Sequence, residues 1–125
     1  MSSKVVLFWS ELPATEQIIT EFLKDNGYDV LIANGEFQCY KYISRRHVDL
    51  VLLDIQRSDL SGLILTKKIR SFSKLRHTPI ISVIKNNALP KFGDFTWDCD
   101  DYISKPIDKD LLLNKMNTLM EKYFF

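Results

Sequence analysis

An α/β domain built on a parallel sheet covered on both faces is the fold this sequence predicts, and three features carry the prediction. Short apolar runs alternate with stretches of helical periodicity along the chain, the pattern of strand–helix–strand units. The run at residues 49–55, DLVLLDI, is apolar at consecutive positions instead of at every second one, as a strand buried on both faces must be. Polar residues follow the runs at their carboxyl ends, where open α/β sheets gather their ligands. At 125 residues, with no repeat, low-complexity segment or linker, the chain suits one domain spanning 1–125 with one core.

Val5–Trp9 is the first apolar run, and Ser10, Glu11 and Pro13 stop it in a loop. Ile18, Ile19, Phe22 and Leu23 then recur at helical spacing until Asn26-Gly27 offers a helix stop. Residues 28–33 form the next strand, and Phe37, Tyr40 and Ile43 mark one face of a second helix. After the strand at 49–55, Leu65, Ile69 and Phe72 mark a third helix, and 79–84 is a fourth strand. A short fifth strand covers 101–104, and Leu112, Met116, Leu119 and Tyr123 recur at helical spacing to the end of the chain. In 86–98, Pro90 and Gly93 interrupt what would otherwise be a helix of ordinary length. Five strands alternating with helices predict right-handed crossovers between parallel neighbours.

Composition narrows the function. Seventeen basic and sixteen acidic residues give a net charge of +1, so no global field favours nucleic acid or an anionic membrane. Lys67, Lys68, Arg70, Lys74 and Arg76 give the third helix a basic side without interleaved aromatics, which reads as a solvated face. No apolar run is long enough to cross a bilayer, and VVLFW is too short for a signal-peptide core, so a cytoplasmic location is expected. Cys39 and Cys99 form no spaced framework and read as packing residues. His47 and His77 have no second ligand at metal spacing and read as surface or helix-end residues.

The chemistry gathers at the strand ends. Asp54 closes the third strand, Ser10 and Glu11 follow the first, and Lys105 follows the fifth. Two carboxylates and one ammonium on neighbouring strand ends suit a divalent cation and a phosphoryl group. Magnesium takes hard oxygen ligands, one or two of them carboxylates, and Glu11 and Asp54 supply those. Phosphoryl transfer to a carboxylate needs in-line positioning and neutralisation of the equatorial oxygens, and Lys105 serves the second need.

At DLVLLDI, Gly62, PII (79–81) and DDYISKP (100–106) the chain resembles the receiver domains of bacterial two-component response regulators. The resemblance covers nearly the whole sequence. It implies a flavodoxin-like fold, doubly wound, with five parallel strands in order 2-1-3-4-5. It further implies that Asp54 is the phosphoacceptor, that Lys105 contacts the phosphoryl group, and that the peptide before Pro106 is cis. Magnesium would be held by Glu11, Asp54 and the backbone carbonyl of Gln56, with Ser10 contributing indirectly. Tyr102 occupies the aromatic switch position. The implied partners are a histidine kinase or phosphotransfer protein and a downstream protein or second copy. The latter would contact 92–102, which carries Phe92, Phe95 and Trp97, together with the last helix. The terminal Phe124-Phe125 pair would pack under the sheet, dock a partner or mark where a longer regulator was cut.

Several positions depart from the family pattern. Ile84 stands where the family has the threonine or serine that bonds the phosphoryl oxygen, so coupling to Tyr102 should weaken. Lys85 replaces a small residue, and Arg57-Ser58 replaces Met-Pro, so each adds a cation near Asp54. Ser10-Glu11 replaces an acidic pair, which lowers the expected affinity for magnesium. Two mechanisms follow from these departures. Either Asp54 accepts a phosphoryl group, or Lys85, Arg57 or Lys105 permanently satisfies its charge and partner binding alone signals. In both the chain is a signalling domain, with catalysis limited to phosphoryl transfer onto itself. A small flavodoxin-like enzyme or a nucleotide or flavin binder is disfavoured, because no glycine-rich phosphate loop follows the first strand.

Overall fold

The computed structural model describes residues 3–10, 13–54, 61–84 and 99–122. Within them the elements run β1 (Val5–Trp9), α1 (Pro13–Asp25), β2 (Asp29–Ala33), α2 (Glu36–Ile43), β3 (Leu50–Asp54), α3 (Ser61–Ser71), a 3-10 turn (Ser73–Leu75), β4 (Ile80–Ile84), β5 (Asp101–Ser104) and α4 (Lys109–Lys122). All strand pairs are parallel, and the sheet order is β2-β1-β3-β4-β5. The stretch 86–98 lies outside the described residues, as do Ile55 and Tyr123 at the ends of their predicted elements.

Side chains alternate between the two sides of a strand, and here both sides are covered. Val6, Phe8, Leu50, Leu52, Ile81, Val83 and Ile103 pack against Ile19 and Leu23 of α1 and Leu112, Met116 and Met120 of α4. Their neighbours in sequence, Leu7, Trp9, Val51, Leu53, Ile80 and Ile84, pack on the opposite side against Cys39 and Ile43 of α2 and Ile69 of α3. Every residue of β1, β3 and β4 is buried, which is why their sequences carry no alternation.

Local chemistry sets the element ends. After α1 the Tyr28 N–H donates to the Leu23 carbonyl at 3.1 Å and the Gly27 N–H to that of Lys24 at 3.0 Å. This double closure requires a residue at positive φ, and Gly27, at +88°, supplies it without a Cβ clash. Tyr28 therefore belongs to the helix stop, and β2 begins one residue later than its apolar pattern suggests. Pro79 has no N–H to donate, and β4 begins at Ile80.

Two helix faces differ from the sequence reading. In α2 the buried stripe is Cys39 and Ile43, four residues apart, while Phe37 is 74% and Tyr40 59% exposed. Phe37 and Tyr40 lie too far round a helix of two turns to reach the sheet on which Cys39 and Ile43 sit. In α1, Ile19 and Leu23 form the buried pair, and Ile18 is exposed. The basic series at 67–76 is likewise not one solvated helix face: α3 ends at Ser71, and Arg70 is drawn inward to Asp100.

Candidate functional site

β1, β3 and β5 deliver three polar groups to the carboxyl edge of the sheet. Asp54 is the last residue of β3, in register with Val83 of β4. The Ser10 N–H donates to the Ala33 carbonyl at 3.0 Å, and the Lys105 N–H donates to that of Ile84 at 2.8 Å. Each bond carries the parallel ladder one residue beyond its strand, so the backbone fixes where Ser10 and Lys105 stand relative to Asp54.

The Asp54 side chain is fully enclosed, with 0% exposure, while that of Lys105 retains 21%. An enclosed carboxylate must be compensated, and the Lys105 ammonium lies 2.7 Å from Asp54 Oδ1. The Ser10 hydroxyl, itself buried, donates to Oδ2 at 3.4 Å. Ser10 thus touches the Asp54 carboxylate directly. The lysine approaches Oδ1 as a charge contact and not as an aligned hydrogen bond, and that oxygen accepts none from the described residues. Among the described residues, the hollow brings a carboxylate and an ammonium together, each balancing the charge of the other.

Ile84 is fully buried in the apolar cluster with Trp9 and Ile69 and has no donor to offer the hollow. Tyr102, on β5, is 38% exposed, and its ring lies 5.9 Å from the Lys115 ammonium, which also binds Asp101 at 2.9 Å. The Lys105–Pro106 peptide is cis. Glu11, Gln56, Arg57, Lys85, Phe92, Phe95, Trp97, Phe124 and Phe125 lie outside the described residues. Among the described residues no group of three or more histidine, cysteine or acidic side chains gathers around a common point. His47 and His77 line a cleft at the amino ends of the strands, away from Asp54.

Both cysteines are packing residues. Cys39 is fully buried, Cys99 packs against the same cluster, and burial pushes each thiol up to about 11. The pair that sequence reasoning missed is Arg70–Asp100, joined at 3.0 Å across the start of β4. An arginine within a basic run gives no local sign of a partner thirty residues away.

The profile of the response regulator receiver domain matches residues 6–117. The chain belongs to that family, whose members are signalling domains of two-component systems. It is 29% identical over 109 residues to the polar-differentiation response regulator DivK of Brucella ovis, covering 84% of this chain and 86% of DivK. It is 37% identical over 97 residues to the CAI-1 autoinducer sensor kinase/phosphatase CqsS of Vibrio cholerae, covering 75% of this chain but only 14% of that protein. The fold matches the receiver domain of a sensor histidine kinase from Pseudomonas aeruginosa, solved with magnesium coordinated in its active-site cleft. The TM-score is 0.77 at 24% identity, over 95% of this chain and 98% of that one. It also matches the chemotaxis response regulator CheY4 of Vibrio cholerae, with a TM-score of 0.75 at 18% identity, over 94% and 98% of the two chains. No helix among the described residues is long and apolar enough to cross a membrane.

Proposed function

We propose that Asp54 is the phosphoacceptor of this receiver domain and that Lys105 neutralises the group it accepts. The observation that carries this reading is the enclosed Asp54 carboxylate with the Lys105 ammonium 2.7 Å away at the carboxyl edge of a parallel sheet. A carboxylate oxygen of Asp54 attacks the phosphorus of a phosphohistidine on a histidine kinase or phosphotransfer protein. The new O–P bond forms as the P–N bond breaks, and the imidazole nitrogen keeps the electron pair and takes up a proton. Lys105 then moves from balancing a carboxylate to balancing phosphoryl oxygens. Its partial exposure leaves it room to do so.

The donor set suits magnesium. Asp54 Oδ1 is a hard, buried oxygen with no aligned hydrogen bond among the described residues, and Ser10 Oγ is a second hard oxygen, against Oδ2. Asp54 would hold the ion, with the Glu11 carboxylate and the Gln56 carbonyl as the further expected ligands. When bound, magnesium supplies positive charge to the phosphoryl oxygens. Output is proposed to pass to a downstream protein or second copy through 92–102 and α4, and a cytoplasmic location belongs to this reading.

Intact-mass measurement after incubation with acetyl phosphate and magnesium tests the proposal. The wild-type chain gains one phosphoryl group and the Asp54→Asn variant gains none. No gain by the wild type overturns it and leaves signalling by partner contacts alone, and equal gain by both overturns it by placing the acceptor elsewhere.

A further inference from the structure

At the end of the sheet opposite Asp54, two clefts of about 290 and 390 Å³ adjoin each other. They share His47, Val48 and Lys74 and so form one groove across the amino ends of β3 and β4. One arm follows Arg45 and Arg46 beyond α2, and the other follows His77 and Pro79 to Met120 of α4. Arg45, Arg46, His47, Lys74 and His77 are exposed along it, whereas Val48, Leu75 and Met120 are buried and make an apolar floor.

The charge of the groove is one-sided. Asp49 is the single acidic residue among its described lining, and its carboxylate is already engaged. One oxygen lies 3.3 Å from His47 Nε2, and the other accepts the Val5 N–H at 2.8 Å. Arg46 is paired with Asp29 at 3.0 Å, but among the described residues neither Arg45 nor Lys74 has a carboxylate partner. The carbonyl end of α2 also faces this region and would repel an anion. Lys74 covers it by donating to the Ile43 carbonyl at 3.1 Å, and its ammonium keeps further donors for a ligand. In a chain of net charge +1, this concentration of cations is local and belongs to the groove.

We propose that the groove binds an extended acidic peptide segment of a partner protein. An extended chain points alternate side chains in opposite directions. Acidic residues can therefore meet Arg45 and Lys74 while the intervening apolar residues lie on the floor of Val48 and Met120. Nucleic acid is the poorer fit, since no Phe, Tyr or Trp among the described lining offers a stacking platform and Asp49 stands within the groove. The groove lies at the opposite end of the strands from Asp54, so a bound segment does not cover the phosphoacceptor edge. The domain can then be held by one partner while another reaches Asp54.

Fluorescence anisotropy with the full chain and a labelled peptide alternating glutamate and leucine tests the proposal. Saturable binding is expected. The Arg45→Glu variant, which loses no side-chain bond within the described structure, should bind at least about tenfold more weakly, and Lys74→Glu likewise. Arg45→Glu should keep the far-UV circular dichroism and the urea midpoint of the wild type, showing an intact fold. Amide shifts on binding should concentrate at 43–49 and 73–79. Absence of saturable binding, unchanged binding by Arg45→Glu, shifts confined to other segments, or tighter binding of a single-stranded oligonucleotide than of the peptide would each overturn it.

Discussion

Arg70 reaches from the last turn of α3 to the Asp100 carboxylate, Nη2 to Oδ2 at 3.0 Å, and the same oxygen receives the Ile80 N–H at 2.8 Å. Its other terminal nitrogen donates to the carbonyls of Leu75, Arg76 and Thr78. One guanidinium thus gathers the chain after α3, the start of β4 and the approach to β5. Both side chains are mostly buried, so truncation takes the cation from a carboxylate and a donor from several carbonyls. Arg70→Ala is expected to lower stability by about 2–3 kcal/mol, read from urea unfolding. Arg70→Lys should recover only part of this, because an ammonium lacks the planar fork that reaches both sets of acceptors. A loss within about 0.5 kcal/mol for Arg70→Ala would show that the clamp contributes no more than a surface pair.

The Asp54–Lys105 pair is asymmetric, and its variants should be too. Asp54 is fully enclosed, while Lys105 keeps a path to solvent. Lys105→Ala leaves the buried carboxylate with no cation among the described residues and should cost about 2–3 kcal/mol. Asp54→Asn lets the ammonium turn towards water and should cost about 1 kcal/mol or less. The double variant should be more stable than Lys105→Ala alone, a non-additivity that a double-mutant cycle in urea measures directly.

Trp9 is buried at the end of β1 and immediately precedes Ser10, so its fluorescence should respond to magnesium at the hollow. The titration is done in a Trp97→Phe background to isolate Trp9. A saturable change is expected there and should vanish when Asp54→Asn is added. A change that survives that substitution would place the ion elsewhere.

Alkaline pH should destabilise the fold through the thiols. Burial pushes Cys39 and Cys99 up to about 11 from the ordinary 9.0, and Tyr28 is raised above its usual 10.0 for the same reason. Between about 9 and 11 the unfolded chain therefore releases thiol protons that the folded chain retains. This contribution is fully present below pH 9 and is lost as pH rises through about 11. Urea midpoints should fall over that window, and a Cys39→Ala/Cys99→Ala variant should show a shallower fall. At neutral pH neither thiol of the folded chain should react readily with a disulfide reagent, while both should do so in denaturant.

The sequence by itself determined the class of fold and the order of its elements. Consecutive apolar residues in β3, short and bounded by polar ones, suit a strand covered on both sides, and the Asn26-Gly27 stop after α1 is local backbone chemistry. The sequence also put Asp54, Ser10 and Lys105 at one edge, because strand ends in such sheets share it. It could not show that Ser10 touches Asp54, or that the Asp54 side chain is closed off while Lys105 keeps solvent access. Those are distances set by how far the parallel ladder runs past β1 and β5. Phe37, Tyr40 and Ile18 show the same limit on helices. Apolar character marks a side chain as able to be buried, but the rotation of each short helix on the sheet decides which side chains are. Arg70 and Lys74 stand four residues apart in one basic run, yet one is clamped to Asp100 and the other lines an open groove. Charge is a property of the residue, whereas its partner belongs to whatever the fold carries alongside it.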